Sequence, residues 1–133
     1  MTLNASSMAK LQGVHPDLVK VVLAAAERKR FIITEGLRTK ERQAMLVASG
    51  KSQTMNSRHI TGHAIDFVPW NDKNHDGSVS NDEISWKMID FIPIADVFKE
   101  EARLLHIPIE WGGDWISFKD GPHIQLTHKD YPR

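Results

Sequence analysis

The chain has 133 residues, one domain's worth and enough to bury a core of its own. Its 41% hydrophobic and 26% charged residues exclude a disordered chain, and 17 basic against 17 acidic side chains leave no positive excess, which speaks against nucleic acid as the main partner. With no cysteine there is no disulfide, thiolate metal site or cysteine nucleophile, so a metal would have to be held by His, Asp or Glu.

No apolar run approaches the ~20 residues of a membrane span, so no membrane insertion is expected. The stretch Met1 to Ser7 lacks the charged and apolar regions of a signal peptide, so synthesis and folding in the cytosol are expected. Pro16-Asp17 opens the first predicted helix, with proline in its first turn and an acid at the positive end of the dipole. Leu18, Val21, Val22 and Ala25 recur at helical spacing and carry it to about Arg28. Phe31 to Thr34 is a short β-rich run before Gly36 and reads as a strand. Thr39 is an N-cap for a second helix, Lys40 to Ser49, closed by Gly50. Lys51 to Asn56 is polar and reads as a loop.

Gly62 marks a turn, and His63 to Val68 then reads as a strand stopped by Pro69. On that strand Ala64 and Asp66 share one face, Ile65 and Phe67 the other. A helix rich in Ile, Met, Phe and Leu is predicted from about Ser85 to His106, with Pro93 kinking or dividing it. Ile109 to Trp111 and His123 to Leu126 are short strands, and Gly112-Gly113 is a turn. There is no internal repeat and no linker. The expectation is an α+β fold, a small mainly antiparallel sheet flanked by helices, forming one domain over residues 1–133 with a zinc site in a surface cleft.

The chemistry concentrates in two stretches, Ser57-Arg58-His59-Ile60-Thr61-Gly62-His63-Ala64-Ile65-Asp66 and Asp120-Gly121-Pro122-His123. His59, Asp66 and His123 make a set of two imidazoles and a carboxylate suited to catalytic zinc, which keeps a fourth position for water. Asp120, before a Gly-Pro turn that can fold it back toward His123, is the candidate general base. The plainer alternative is that each is a surface or capping residue. His63 is a rival ligand, four residues from His59, but Gly62 between them and the lack of Glu beside His59 count against a metalloprotease helix. His63 is therefore ranked as a neighbour of the site.

A second metal loop is legible at 72–83. Asp72, Asn74 and Asp76 stand at positions 1, 3 and 5 of the twelve-residue calcium-loop pattern, Gly77 at 6 and Glu83 at 12. Ser78 would offer its backbone carbonyl, and Ser80 would act directly or through water. A helix beginning near Ile84 is expected on the exit side, whereas Phe67 to Trp70 on the entry side reads as strand and turn, so a paired EF-hand is not expected. The alternative is a solvated acidic turn. Because the loop starts six residues after Asp66, calcium would order the segment beside a zinc ligand and raise activity.

These motifs resemble those of the zinc D,D-carboxypeptidase and L-alanyl-D-glutamate endopeptidase family, which cleaves bacterial cell-wall peptides. The likeness extends to Gly36-Leu37-Arg38-Thr39 with Gln43, and to Trp111-Gly112-Gly113-Asp114-Trp115, spanning about Ser7 to Leu126. It implies that His59, Asp66 and His123 bind zinc, that Asp120 is the base, and that Arg38 steadies the carbonyl oxygen or a substrate carboxylate. A guanidinium suits that work, and a structural ion pair with Glu35 or Glu41 is the alternative. Ser57 and Trp115 are candidate substrate contacts; the alternatives are a turn former and, for Trp111 and Trp115 alike, core packing. Asp114 is a candidate partner for a ligand histidine, and Glu110 competes for that place or for the base.

The compact form, without a recognised export signal, is similar to a bacteriophage endolysin. That implies synthesis in the host cytoplasm, release by a separate membrane-disrupting protein, the peptidoglycan stem peptide as substrate, Zn2+ and Ca2+ as cofactors, and a monomer. Asp at position 120, where many carboxypeptidase relatives carry Glu, resembles the endopeptidase branch. The functions weighed are hydrolysis of the L-Ala–D-Glu bond, D-Ala–D-Ala carboxypeptidase action at the same site, and a non-catalytic metal-binding module.

Overall fold

Four short strands form one antiparallel sheet in the order β1-β2-β4-β3: β1 Phe31–Glu35, β2 Ala64–Pro69, β3 Ile109–Trp111 and β4 His123–Leu126. The architecture is α+β, as expected, in a computed structural model that describes residues 3–52, 54–71, 74–77, 79–117 and 119–132. Alternation along the strands divides the sheet chemically. Ile33, Ile65, Phe67, Ile124 and Leu126 are fully buried on the core face. Asp66, His123 and Gln125 take the alternate positions on the other face.

The core face is covered by α2, Pro16–Ala26, and α4, Met88–Leu105. Leu18, Val21, Val22 and Ala25 of α2 meet Phe91, Ala95, Phe98 and Ala102 of α4 in one apolar cluster with the strands. Phe67 is ringed by Phe31, Phe91 and Phe98 at centroid distances of 5.2–6.1 Å. The helix-period pattern of α2 thus produces the expected packing, although the helix ends at Ala26, two residues before Arg28.

Two expectations about helices are corrected, and one helix was not expected. Pro93 does not divide α4, which runs unbroken through it. Pro93 and Ile89, whose carbonyl loses its i+4 donor, both lie on the exposed side, where water can serve the carbonyl. The same helix starts at Met88 rather than near Ile84 or Ser85, because Lys87 is extended (φ −78°, ψ 129°) as its N-cap. A helix absent from the sequence reading, α1 Ala5–Lys10, is capped by the Asn4 side chain, which accepts from the Ser7 amide. Its anchor is polar: the buried Ser7 hydroxyl accepts the Ile33 amide at 3.0 Å and docks α1 on β1. A six-residue helix held by a serine has no hydrophobic period to reveal it.

Helix α3, Lys40–Ala48, is capped as expected by Thr39, whose side chain accepts from the Arg42 amide. The residue it buries is Gln43, so α3 serves the site rather than the core.

Candidate metal centre

Strand register brings the two distant stretches of chain together. Asp66 on β2 stands directly across from His123 on β4. On its other side Asp66 faces Glu35, because the pairing jumps from Ile33↔Phe67 to Glu35↔Asp66. That bulge places Glu35, Asp66 and His123 in one row across three strands. His59 comes from a 3-10 turn, Arg58–Thr61, whose first amides are capped by Ser57: its hydroxyl accepts from the His59 amide at 3.2 Å. The turn ends at Gly62 (φ +76°), where a Cβ would also come within 2.4 Å of the Gly13 carbonyl oxygen, so both torsion and space require glycine.

His59 Nε2 lies 3.1 Å from Asp66 Oδ1, and His123 Nδ1 lies 3.4 Å from the same oxygen. One ligand atom from each residue falls within 4.8 Å of the others. The remaining ring nitrogens are both engaged: His59 Nδ1–H donates to the Gly36 carbonyl at 2.8 Å, and His123 Nε2–H donates to Gln125 Oε1 at 2.7 Å. Neither oxygen can donate, so in the neutral rings the nitrogens beside Asp66 carry lone pairs that could bind a cation, and they hydrogen-bond Asp66 only when the rings are protonated. Imidazoles oriented from behind in this way are the usual arrangement at metal centres. Two nitrogens and a carboxylate oxygen, on residues 2%, 6% and less than a third exposed, fit the donor set and enclosure of zinc.

Burial by itself would raise the Asp66 carboxyl, but the charge and hydrogen bonds of His59 and His123 hold it far below the usual carboxylate range. Burial would likewise depress His123, and there the Asp66 carboxylate prevails and pushes it up. Both shifts mean that the carboxylate stays anionic and favours positive charge beside it, whether a proton on His123 or a metal ion in its place.

Asp120 is half-buried in the same cleft, a cavity of about 950 Å³ that His59, Asp66 and His123 also line. Its amide donates to Gly112 O at 3.0 Å, and its carbonyl accepts from the His123 amide at 3.1 Å, so Asp120 and His123 share one turn. Burial first, then the negative charge of Asp66, raise its carboxyl above the ordinary value against the opposing pull of His123, His59 and Arg38.

The family model described as phage L-alanyl-D-glutamate peptidase matches residues 1–127. The L-alanyl-D-glutamate peptidase of Escherichia phage T5 is 33% identical, covering 92% of this chain and 95% of that protein. The chain belongs to the phage L-alanyl-D-glutamate peptidase family. The peptidase of Listeria phage A118 is 39% identical over 100 residues, 75% of this chain, and the aligned part is 31% of that longer protein's length. Among solved structures, the Serratia marcescens L-Ala D-Glu endopeptidase ChiX is 42% identical and superposes with a TM-score of 0.85 over 100% of this chain and 95% of that one.

Within this family frame the other expected residues fall on both sides of the line. Arg38 is nearly buried, and it makes the alternative contact: Nε and Nη2 donate to the two Glu35 oxygens at 2.8 and 2.6 Å, Nη1 to Gln43 Oε1 at 2.7 Å. Its Nη2 also lies 3.6 Å from Asp66 Oδ2. The anion it holds is thus Glu35, and its charge lies beside Asp66. Trp115 lines the cleft with its ring 5.1 Å from that of His123, whereas Trp111 is core, donating Nε1–H to Gly121 O at 2.7 Å. Glu110 accepts from Trp115 Nε1 at 3.2 Å and lines the same cleft, from β3 rather than from the turn that joins Asp120 to His123. Asp114 pairs on the surface with Lys99 at 2.7 Å and backs no ligand. His63 is no neighbour of the cleft; it packs 5.5 Å from His15.

Four side chains have roles that the sequence did not assign, Gln43 among them although it belongs to the family likeness. Gln43, fully buried, relays Arg38 to the cleft wall, donating to Ser52 Oγ and the Thr54 carbonyl at 2.8 and 2.5 Å. Arg58 clamps the turn that carries His59 to the end of β4, donating from Nη2 to Leu126 O and Tyr131 O at 2.9 and 2.7 Å. Gln125 orients His123, a signal present in the two-residue spacing on a strand. Trp86, 66% exposed, lines the same cleft.

In the expected calcium loop, Asp72 and Ser78 lie outside the described residues. Glu83 is buried and draws the loop around its carboxylate: Oε2 accepts from the Asn74 amide at 3.1 Å, Oε1 from the Ser80 amide and hydroxyl, both at 2.9 Å. Asp76 donates its amide to Asn74 Oδ1 at 3.2 Å. The exit helix expected near Ile84 is instead a 3-10 turn, Asn81–Glu83, followed by chain without regular structure to Lys87.

Proposed function

We propose that this chain is a zinc endopeptidase domain that hydrolyses the L-Ala–D-Glu bond of the peptidoglycan stem peptide. The observation that carries the reading is the convergence of His59 Nε2, Asp66 Oδ1 and His123 Nδ1, each imidazole fixed from behind, in a cleft shared with Asp120. The names of the phage T5, Listeria phage and Serratia relatives supply the bond. Zinc held there supplies Lewis acidity, acidifying water and polarising a carbonyl oxygen. Asp120 accepts a proton from the attacking water and returns one to the leaving nitrogen as the peptide bond breaks. A carboxyl whose pKa is raised by burial and by the charge of Asp66 suits a group that must both take and give. Arg38, bound to Glu35 and 3.6 Å from Asp66 Oδ2, helps hold Asp66 in place. Trp115 and Ser57 flank the scissile peptide on the cleft wall.

Replacing Asp120 with Asn removes the proton carrier and keeps the shape. The expected result is a fall in kcat of about 10²–10⁴-fold with zinc content unchanged. Mass spectrometry of digested stem peptides reads the bond: release of intact L-Ala supports the assignment, whereas loss of terminal D-Ala replaces it with carboxypeptidase action. Retained turnover in the variant sends the base elsewhere.

No helix among the described residues is long and apolar enough to cross a membrane. We propose action on the cell wall, as a monomer, after release from the host cytoplasm by a separate membrane-disrupting protein. We also propose that Ca2+ binds at 72–83 through Asp72, Asn74, Asp76, Ser78, Ser80 and Glu83. The buried Glu83 supports this, since a closing bidentate carboxylate is what such a loop provides. Titrating calcium into zinc-loaded protein should raise the cleavage rate; a rate indifferent to calcium and to a calcium-selective chelator defeats the regulatory role.

A further inference from the structure

Gln125 stands on β4 two residues from His123, so both side chains leave the strand on the same face, and it is only 6% exposed. Its Oε1 is committed, accepting His123 Nε2–H at 2.7 Å. A primary amide has one acceptor oxygen and two donor hydrogens on the nitrogen of the same plane. With the oxygen held by His123, the direction of the NH2 group is set as well. That nitrogen makes no hydrogen bond to any described residue, yet the side chain lines the cleft. Of its cross-strand neighbours, Ala64 has only a methyl group, and Glu110, whose Oε2 accepts from Trp115, makes no hydrogen bond to it.

A donor so enclosed and without a protein acceptor is what a site uses to recognise an oxygen of its ligand. We propose that Gln125 serves the cleft twice: through Oε1 it positions His123, and through its NH2 it donates to a carbonyl or carboxylate oxygen of the bound stem peptide. This rests on the metallopeptidase reading above. The two roles are coupled, because the contact that orients the imidazole is the one that aims the donor.

Two near-isosteric variants separate them. Gln125→Glu keeps an acceptor for His123 and turns the donor into a second oxygen. Gln125→Met fills the space and offers neither. Zinc affinity is read by chelator competition, which needs no turnover, and kcat and KM on a stem peptide are measured at saturating zinc. Thermal melting verifies that each variant folds. The expected result is a zinc affinity within a few-fold of the parent for Gln125→Glu with KM raised about tenfold, one hydrogen bond's worth. For Gln125→Met, zinc affinity should fall about 10–100-fold and KM rise too. An unchanged KM in Gln125→Glu overturns the donor role, and an unchanged zinc affinity in Gln125→Met overturns the positioning role. A parent chain that takes up no zinc overturns the metallopeptidase reading and this one with it.

Discussion

Glu35 and Arg38 form a nearly enclosed ion pair whose outer edge lies beside Asp66. Their side chains are 18% and 8% exposed and joined by two hydrogen bonds, with Arg42 adding a third to Glu35 at 3.0 Å. Burial raises the Glu35 carboxyl, but Arg38, and then Arg42, outweigh it and leave its pKa below the ordinary 4.5. A depressed acid stabilises the fold above its unfolded value, and that contribution is lost as pH falls through the folded one. Glu35→Gln should therefore cost about 2 kcal/mol at neutral pH, less than the ~3–5 of a truncated buried pair because the amide oxygen still accepts one N–H. Urea denaturation of both proteins should show the difference shrinking once pH drops below 4.5. A difference independent of pH would mean that packing, not charge, is what Glu35 supplies.

At the scale of elements, the site depends on how closely the β3–β4 connection folds on itself. The 3-10 turn Gly112–Asp114 follows β3 directly, and Gly112 accepts the Asp120 amide. A Cβ on Gly112 would lie 2.3 Å from the Asp120 carbonyl oxygen, a backbone atom with little freedom to yield. Gly112→Ala should destabilise the protein by about 1–3 kcal/mol, the range for forced overpacking. It should also lower kcat, since Asp120 must shift. Full activity and an unchanged unfolding midpoint would show that the loop has slack the structure does not suggest. The bulge in β1 works likewise: without the jump after Ile33, Glu35 would not face Asp66.

Across the whole molecule, the C-terminal segment meets the start of α2. Tyr131 donates its hydroxyl to Asp17 at 2.7 Å, 114 residues away, and its ring sits edge-on to His15 at 5.2 Å. Its carbonyl accepts from Arg58, so the C-terminal segment ties the first turn of α2 to the turn bearing His59. The hydrogen bond to Asp17, more than burial, pushes the phenol up to about 12 from 10.0. A raised pKa contributes stability that is whole below 10 and lost as pH rises through about 12. The chain has one tyrosine, so its phenolate absorbance reports this group alone. At a pH midway between those values the phenol should remain protonated in the parent and ionise in Asp17→Asn. Identical titrations would remove the tie.

Local regularities determined much of this protein. The helical period of α2, the cap at Thr39, the strands at Ile109 and His123, and the spacing from His59 to Asp66 are each set within a few residues, so they are legible along the chain. Contacts between residues far apart in sequence were decided only by the tertiary structure. The same arginine could clamp a substrate or pair with Glu35, and only the bulge that aligns Glu35 with Asp66 chooses. Trp111 and Trp115 are alike on paper, yet one points to the core and the other to the cleft because the chain turns between them. Partner choice for a long polar side chain is a matter of which acceptor packing brings within about 3 Å, and linear order carries no record of that distance.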